Sequence, residues 1–100
     1  MVQKLIVSIC KIILRLPSRS LKEKRRLLKS LNDRVLNRFS VELSEVDCND
    51  HSETAVIGFA VVANNGKIAN RKIESILVFI EESRIMTQIV DINRETITGF

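Results

Sequence analysis

Five cations in the first third of the chain are the residues whose types and spacing most clearly indicate a binding function. They are Lys22, Lys24, Arg25, Arg26 and Lys29. Clustered arginine and lysine side chains bind phosphate groups, arginine through two parallel hydrogen bonds and lysine as a point charge. We therefore predict that these five residues bind nucleic acid through its phosphates. Two alternatives stay open: an ordinary solvated helix face, and contact with an acidic protein.

The net charge of +4 is distributed unevenly along the 100 residues. Residues 15–38 hold nine basic and two acidic side chains, whereas residues 39–100 hold five basic and ten acidic ones. A basic segment on a body of opposite charge favours a polyanion or an acidic protein surface as the partner. The segment thus points to binding rather than to a particular reaction.

Cysteine and histidine give no metal or catalytic pattern. Cys10 and Cys48 form no Cys-x-x-Cys motif, and His51 is the single histidine, so the four ligands of a structural zinc site are lacking. No nucleophile with a base and an orienting group is recognisable. We predict no metal, no cofactor and no enzymatic activity, with Cys10 as a core residue. Two unpaired thiols favour a reducing compartment, so we expect a cytoplasmic protein.

The apolar N-terminal stretch, residues 5–16, belongs to a predicted strand rather than to a membrane segment. Lys11 and Arg15 interrupt it, and it is far shorter than the ~20 apolar residues that a membrane span requires. No small-residue cleavage site follows it, so we expect no signal peptide and no membrane contact.

The hydrophobic pattern predicts the element order β-α-β-β-α-β. The expected strands cover residues 2–16, 41–47, 54–63 and 84–97, and the expected helices cover about 20–38 and 67–82. Ser20 and Glu23 form a capping-box pattern at the first helix, residues 48–53 a polar turn, and residues 64–66 a break and N-cap region. This order predicts an α+β, ferredoxin-like split β-α-β fold, with two helices on one face of a four-stranded antiparallel sheet. Residues 1–100 are expected to form one domain.

The first helix divides into an apolar and a basic side when residues are spaced at 100°. The expected core stripe contains Leu21, Leu28, Leu31, Val35 and Phe39. Lys24 falls inside the apolar arc, so we expect it to extend past the sheet edge or to meet a carboxylate, with Asp47 as a candidate. The helix N-terminus carries four cations, Lys22, Lys24, Arg25 and Arg26, and a cation there costs roughly 0.3–1 kcal/mol. A bound anion would offset that cost.

The first and third strands are apolar on both faces, although only one face of this fold is covered by helices. In the first strand, for example, Ile12 and Leu14 alternate with Ile9 and Ile13. Strands that are apolar on both sides are usually covered on both sides. We therefore predict that the second face or an edge strand meets another chain, most simply in a homodimer.

The third strand matches the signature of an RNA-recognition motif only in part. Residues 57–64, IGFAVVAN, agree at Gly58, Phe59, Ala60 and Val62 but lack the basic first position and the further aromatics. We predict that Phe59 packs in the core or at a dimer interface rather than stacking on bases.

The sequence resembles the YlxP-like family, small bacterial domains of unknown function. The resemblance rests on SLKEKR at residues 20–25, on Glu45-Val46-Asp47, on Ala60-Val61-Val62 after Gly58, and on weaker matches elsewhere along nearly the whole chain. It implies a ferredoxin-like fold and, because the family is often encoded beside translation-initiation and ribosome-maturation factors, a role near RNA or ribosomal particles. Family members usually have a histidine after the aspartate and a tryptophan shortly beyond, whereas this chain has Cys48-Asn-Asp-His51.

Overall fold

The computed structural model describes residues 4–83 and 87–100. The elements are β1 (Ile6–Arg15), α1 (Leu21–Phe39), β2 (Ser44–Asp47), β3 (Thr54–Ala63), α2 (Gly66–Glu81) and β4 (Gln88–Thr98). This order confirms the sequence prediction. Of the predicted strands, residues 2–3 of the first and 84–86 of the last lie outside the described residues.

The four strands form one antiparallel sheet with the order β2-β3-β1-β4. β1 is central and pairs along its whole length with both β3 and β4. A register shift between Ile13 and Leu14 interrupts the pairing with β4, and a second shift between Glu45 and Asp47 interrupts the pairing of β2 with β3. The arrangement is the predicted ferredoxin-like α+β fold.

The core lies between the two helices and one face of the sheet, the helix-covered face. Alternate residues of β1 point into it, among them Cys10, Ile12 and Leu14. The helices contribute Leu31 and Val35 from α1 and Ile73, Ile76 and Ile80 from α2. Burying one such side chain contributes about 1.5–3 kcal/mol, so this single layer is the main source of stability.

β2 is shorter than predicted. The sequence predicts a strand over residues 41–47, but the strand begins at Ser44. Val41 and Leu43 are buried, as their alternation indicates, yet they lie in a loop that packs into the core. The backbone N–H of Leu43 donates to Asn32 Oδ1 on α1 at 2.7 Å, so α1 supplies the hydrogen-bond partner that a neighbouring strand would otherwise provide.

Candidate nucleic-acid interface

α1 carries the predicted binding residues, and its first turn is fixed by side-chain hydrogen bonds. Ser20 is the N-cap, and its Oγ accepts from the Glu23 N–H at 3.1 Å. Glu23 in turn accepts from the backbone N–H of Arg19 at 3.2 Å rather than from that of Ser20. The predicted capping pair is therefore present with a one-residue variation, and it uses the only acidic residue of the first turn.

Four of the five predicted cations lie on the outer side of α1. Lys22, Arg25, Arg26 and Lys29 are all exposed, and we refer to these four residues as the basic face. Their i, i+3, i+4 and i+7 spacing puts them on one side of the helix, over about 10 Å of its length. The predicted apolar stripe lies opposite them, with Leu31 and Val35 buried and Leu28 and Phe39 half-buried.

Most of the basic face has no intrachain counter-ion among the described residues. Lys22, Arg25 and Arg26 form no ion pair there, and Lys29 Nζ lies 3.9 Å from Asp33 Oδ2. Both members of that pair are largely exposed, and such i,i+4 pairs contribute only about 0.3–0.5 kcal/mol. The positive charge of this face is therefore directed at solvent.

Lys24 is not part of this surface. Its side chain is 1% exposed, so it cannot reach a nucleic acid, and its inclusion in the predicted binding set is wrong. The ammonium lies 2.6 Å from Glu45 Oε2 and donates to the backbone carbonyls of Cys48 and His51, each at 2.6 Å. An ammonium has three protons to donate, and here three oxygens surround it.

The partner that the sequence suggested for Lys24 is also wrong. Glu45, not Asp47, pairs with the ammonium, while Asp47 Oδ1 accepts from the backbone N–H of Cys48 at 2.7 Å. A clue to Glu45 was present in the sequence, because it shares the alternation of Val41 and Leu43 and therefore faces the helices. A lysine in the apolar arc of the helix and a glutamate at a core-facing strand position carry opposite charges, and here they form an ion pair.

The hydrogen bonds of Lys24 fasten the 48–53 turn to the start of α1. Leu16 N–H donates to Glu53 O at 2.8 Å, and Ser18 Oγ donates to Ser52 O, so the segment before α1 holds the same turn from the other side. Cys48 adopts a left-handed backbone conformation with φ 58° within this turn. The turn by which this chain departs from the resembled family is thus held against the first turns of α1.

A further cation of α1, Arg38, contacts aromatic rings of the same chain. Its guanidinium carbon lies 5.6 Å from the ring centre of Phe39 and 5.3 Å from that of Phe79, which bridges the ends of α1 and α2. The two rings meet edge to face at 5.6 Å. Such contacts stabilise helix packing. The surplus positive charge of residues 15–38 therefore serves two purposes, packing and a solvent-facing surface.

The described residues offer no assembled metal site. Among residues 4–83 and 87–100, no three His, Cys, Asp or Glu side chains come together as ligands. Asp50 Oδ1 lies 3.3 Å from His51 Nδ1, and both side chains are exposed. Cys10 is buried in the core, as predicted, and this burial raises the pKa of its thiol. Cys48 is half-buried, and both thiols are free.

Three of the four phenylalanines pack within the fold, whereas the fourth, Phe100, is 93% exposed. Phe59 is buried in the core, which confirms the prediction that it packs rather than stacks. Phe39 and Phe79 belong to the helices, and the described strands carry no aromatic side chain on the sheet face turned away from the helices.

Neither α1 nor α2 has the length and apolar character that a membrane-spanning helix requires.

A comparison with known proteins decides the family. The family model described as "Protein of unknown function (DUF503)" matches residues 7–94. This chain belongs to the DUF503 family. The uncharacterized protein YlxP of Bacillus subtilis (strain 168) is 36% identical over 62 residues, which cover 62% of this chain and 67% of the relative. The resemblance noted in the sequence is confirmed, and the DUF503 description assigns no function.

The de novo designed protein Foldit4 has the same fold. It superimposes with a TM-score of 0.57 and 17% sequence identity, covering 96% of this chain and 99% of the designed chain. At this identity the likeness concerns the architecture alone.

Proposed function

We propose that this protein binds RNA, alone or in ribosomal particles, by holding phosphate groups on the basic face of α1. The observation that carries this proposal is the exposure of Lys22, Arg25, Arg26 and Lys29 on one side of the helix while Lys24, between them in sequence, is used internally. The four remaining cations lie on the same side of α1. Among the described residues, Lys29 is the only one of them that lies close to an acidic side chain, that of Asp33. A cytoplasmic location, which two free thiols favour, is part of this proposal.

The electrostatics of the helix N-terminus support an anionic partner. Cations near this end cost roughly 0.3–1 kcal/mol each, because they meet the partial positive charge of the helix. The Glu45 carboxylate offsets this cost for Lys24. Lys22, in the first turn, and Arg25 and Arg26, in the second turn where the effect is weaker, form no ion pair among the described residues. Bound phosphate groups would offset the repulsion between these cations and the helix N-terminus. Each arginine would donate two parallel hydrogen bonds to a phosphate.

The expected mode of binding is tolerant of sequence. Contacts to phosphates position a protein on nucleic acid without reading bases, and the described strands present no exposed aromatic platform for base stacking. Affinity should therefore depend strongly on salt and weakly on sequence. The preference for RNA over DNA rests on the translation-related context that the family resemblance implies.

Removal of two arginines tests this proposal. We compare wild-type protein with the double variant Arg25→Gln, Arg26→Gln by fluorescence anisotropy with a labelled single-stranded RNA at low salt. The control is Lys67→Gln, Arg71→Gln, which removes the same charge from exposed positions of α2. We expect at least about tenfold weaker binding for the α1 variant and less than about twofold for the control.

Two outcomes would count against the proposal that the basic face binds RNA. Equal losses in both variants would mean that net charge, not the basic face, governs binding. No binding of wild-type protein to naked RNA or to ribosomal particles at low salt would remove the nucleic-acid function. The basic face would then be left to the alternative, an adaptor that meets an acidic protein.

A further inference from the structure

The sheet face turned away from the helices, here called the open face, is apolar over much of its extent. Val7 lies in register with Val62 on β3 and with Ile97 on β4, so these three side chains form a row across the sheet. Val62 is 65% exposed and Ile97 is 48% exposed. Leu5 and Ile9, on either side of Val7 along the chain, are exposed as well.

A second apolar area lies towards β2. Gly58 is in register with Lys11 and has no side chain to occupy the open face. Val46 of β2 leans into that space, and a Cβ added at Gly58 would lie 3.3 Å from its Cγ1. A shallow groove runs here between Val46 and Ile9. Antiparallel sheets that face water on one side normally carry polar residues there, so this face has the character of a contact surface.

The charges on the open face are mixed and self-complementary. Lys11 and Arg15 provide positive charge on β1, while Glu42, Asp91 and Glu95 provide negative charge around them. All five are exposed, and none forms an ion pair within the described residues. A two-fold axis between two such faces can bring cations of one copy opposite anions of the other. This pattern differs from the basic face, where a single sign prevails.

The size of the open face suits a stable dimer. Three strands of 10 or 11 residues at ~3.3 Å per residue and ~4.8 Å apart give a plane of roughly 33 by 14 Å, and the four residues of β2 add an edge of roughly 13 by 5 Å. With side-chain relief, this area approaches the roughly 800 Å² that each partner buries in a standard interface.

From the apolar rows, the self-complementary charges and the area, we propose that the open face is covered by a second copy of this chain. The two sheets stack face to face about a two-fold axis, and both helical layers point outward. This interface uses none of the four residues of the basic face. The dimer and the RNA-binding function are therefore independent and can fail separately.

The test measures oligomeric state by light scattering and sedimentation velocity, from about micromolar to about millimolar protein. Wild-type protein should be a dimer. Val62→Glu should raise the dimer dissociation constant at least about tenfold, because it buries unpaired charge in the interface. The control Ile68→Glu changes an apolar residue of α2 that is 54% exposed, and should leave dimerisation unchanged. Lys11→Glu should weaken the dimer as well, since it leaves Arg15 as the only cation among these charges.

Each result bears directly on the proposal. A monomer over the whole concentration range overturns it. A dimer as tight in Val62→Glu and Lys11→Glu as in wild type also overturns it, and would indicate contact elsewhere, such as the free edge of β4. Circular dichroism melting of each variant verifies folding, which the exposure of both side chains in the monomer should preserve.

Discussion

Lys24 shows that a lysine within a basic segment can be buried and paired inside the protein rather than exposed on its surface. It is surrounded in sequence by surface cations, yet its ammonium is enclosed by Glu45 and two backbone carbonyls. Removing one partner of a buried ion pair is costly because it leaves the other charge uncompensated. The three acceptors also belong to β2 and to the turn that follows it, so Lys24 connects α1 with that turn.

At this scale we predict that Lys24→Met is strongly destabilising. It should lower the free energy of unfolding by about 3 kcal/mol, because Glu45 and the carbonyls of Cys48 and His51 lose their donor. Urea unfolding measures the change. Lys22→Met is the matched control: it removes the same charge from an exposed position two residues earlier and should cost at most about 0.5 kcal/mol.

Hydrogen exchange would localise the effect of Lys24→Met. Amides in residues 48–53 should exchange faster in this variant, while those of β1 and β3, which pair along their full length, should change least. If both lysine variants cost the same, the ion pair with Glu45 has no special role in stability.

At the scale of the element, the start of α1 depends on Ser20. Its hydroxyl satisfies one of the N–H groups that a helix N-terminus leaves free. We predict that Ser20→Ala lowers stability by about 1 kcal/mol. Thermal and urea unfolding check this value. Ser30→Ala makes the same chemical change inside the same helix, where alanine is the better helix former, and should be neutral or slightly stabilising. Equal effects of the two variants would contradict the capping role.

The elements themselves follow from the sequence because their hydrophobic periods are long and regular. α1 is an example, since its apolar stripe and its Ser20 cap are both local features. β2 could not be delimited in this way, because Leu43 takes its hydrogen-bond partner from Asn32, across the fold. The Lys24–Glu45 pair likewise depends on tertiary packing between a helix and a strand. Local patterns indicate which residues are buried, but they do not identify long-range partners.

At the scale of the whole molecule, the two candidate surfaces lie on opposite sides. The basic face is on the helical layer and has one sign of charge, whereas the open face of the sheet is apolar with mixed charges. If both proposals hold, a dimer would present two basic faces pointing away from each other. One RNA or ribosomal particle could then be held at two places, with a gain in avidity wherever both faces reach it.

The most direct test of the central claim is the salt dependence of RNA binding. The logarithm of the association constant of wild-type protein for single-stranded RNA is measured against the logarithm of salt concentration. Four phosphate contacts, one for each residue of the basic face, predict a slope of about −2.8, and Arg25→Gln, Arg26→Gln should reduce it to about −1.4. A wild-type slope near zero, or a slope unchanged in the variant, would contradict phosphate binding by the basic face of α1.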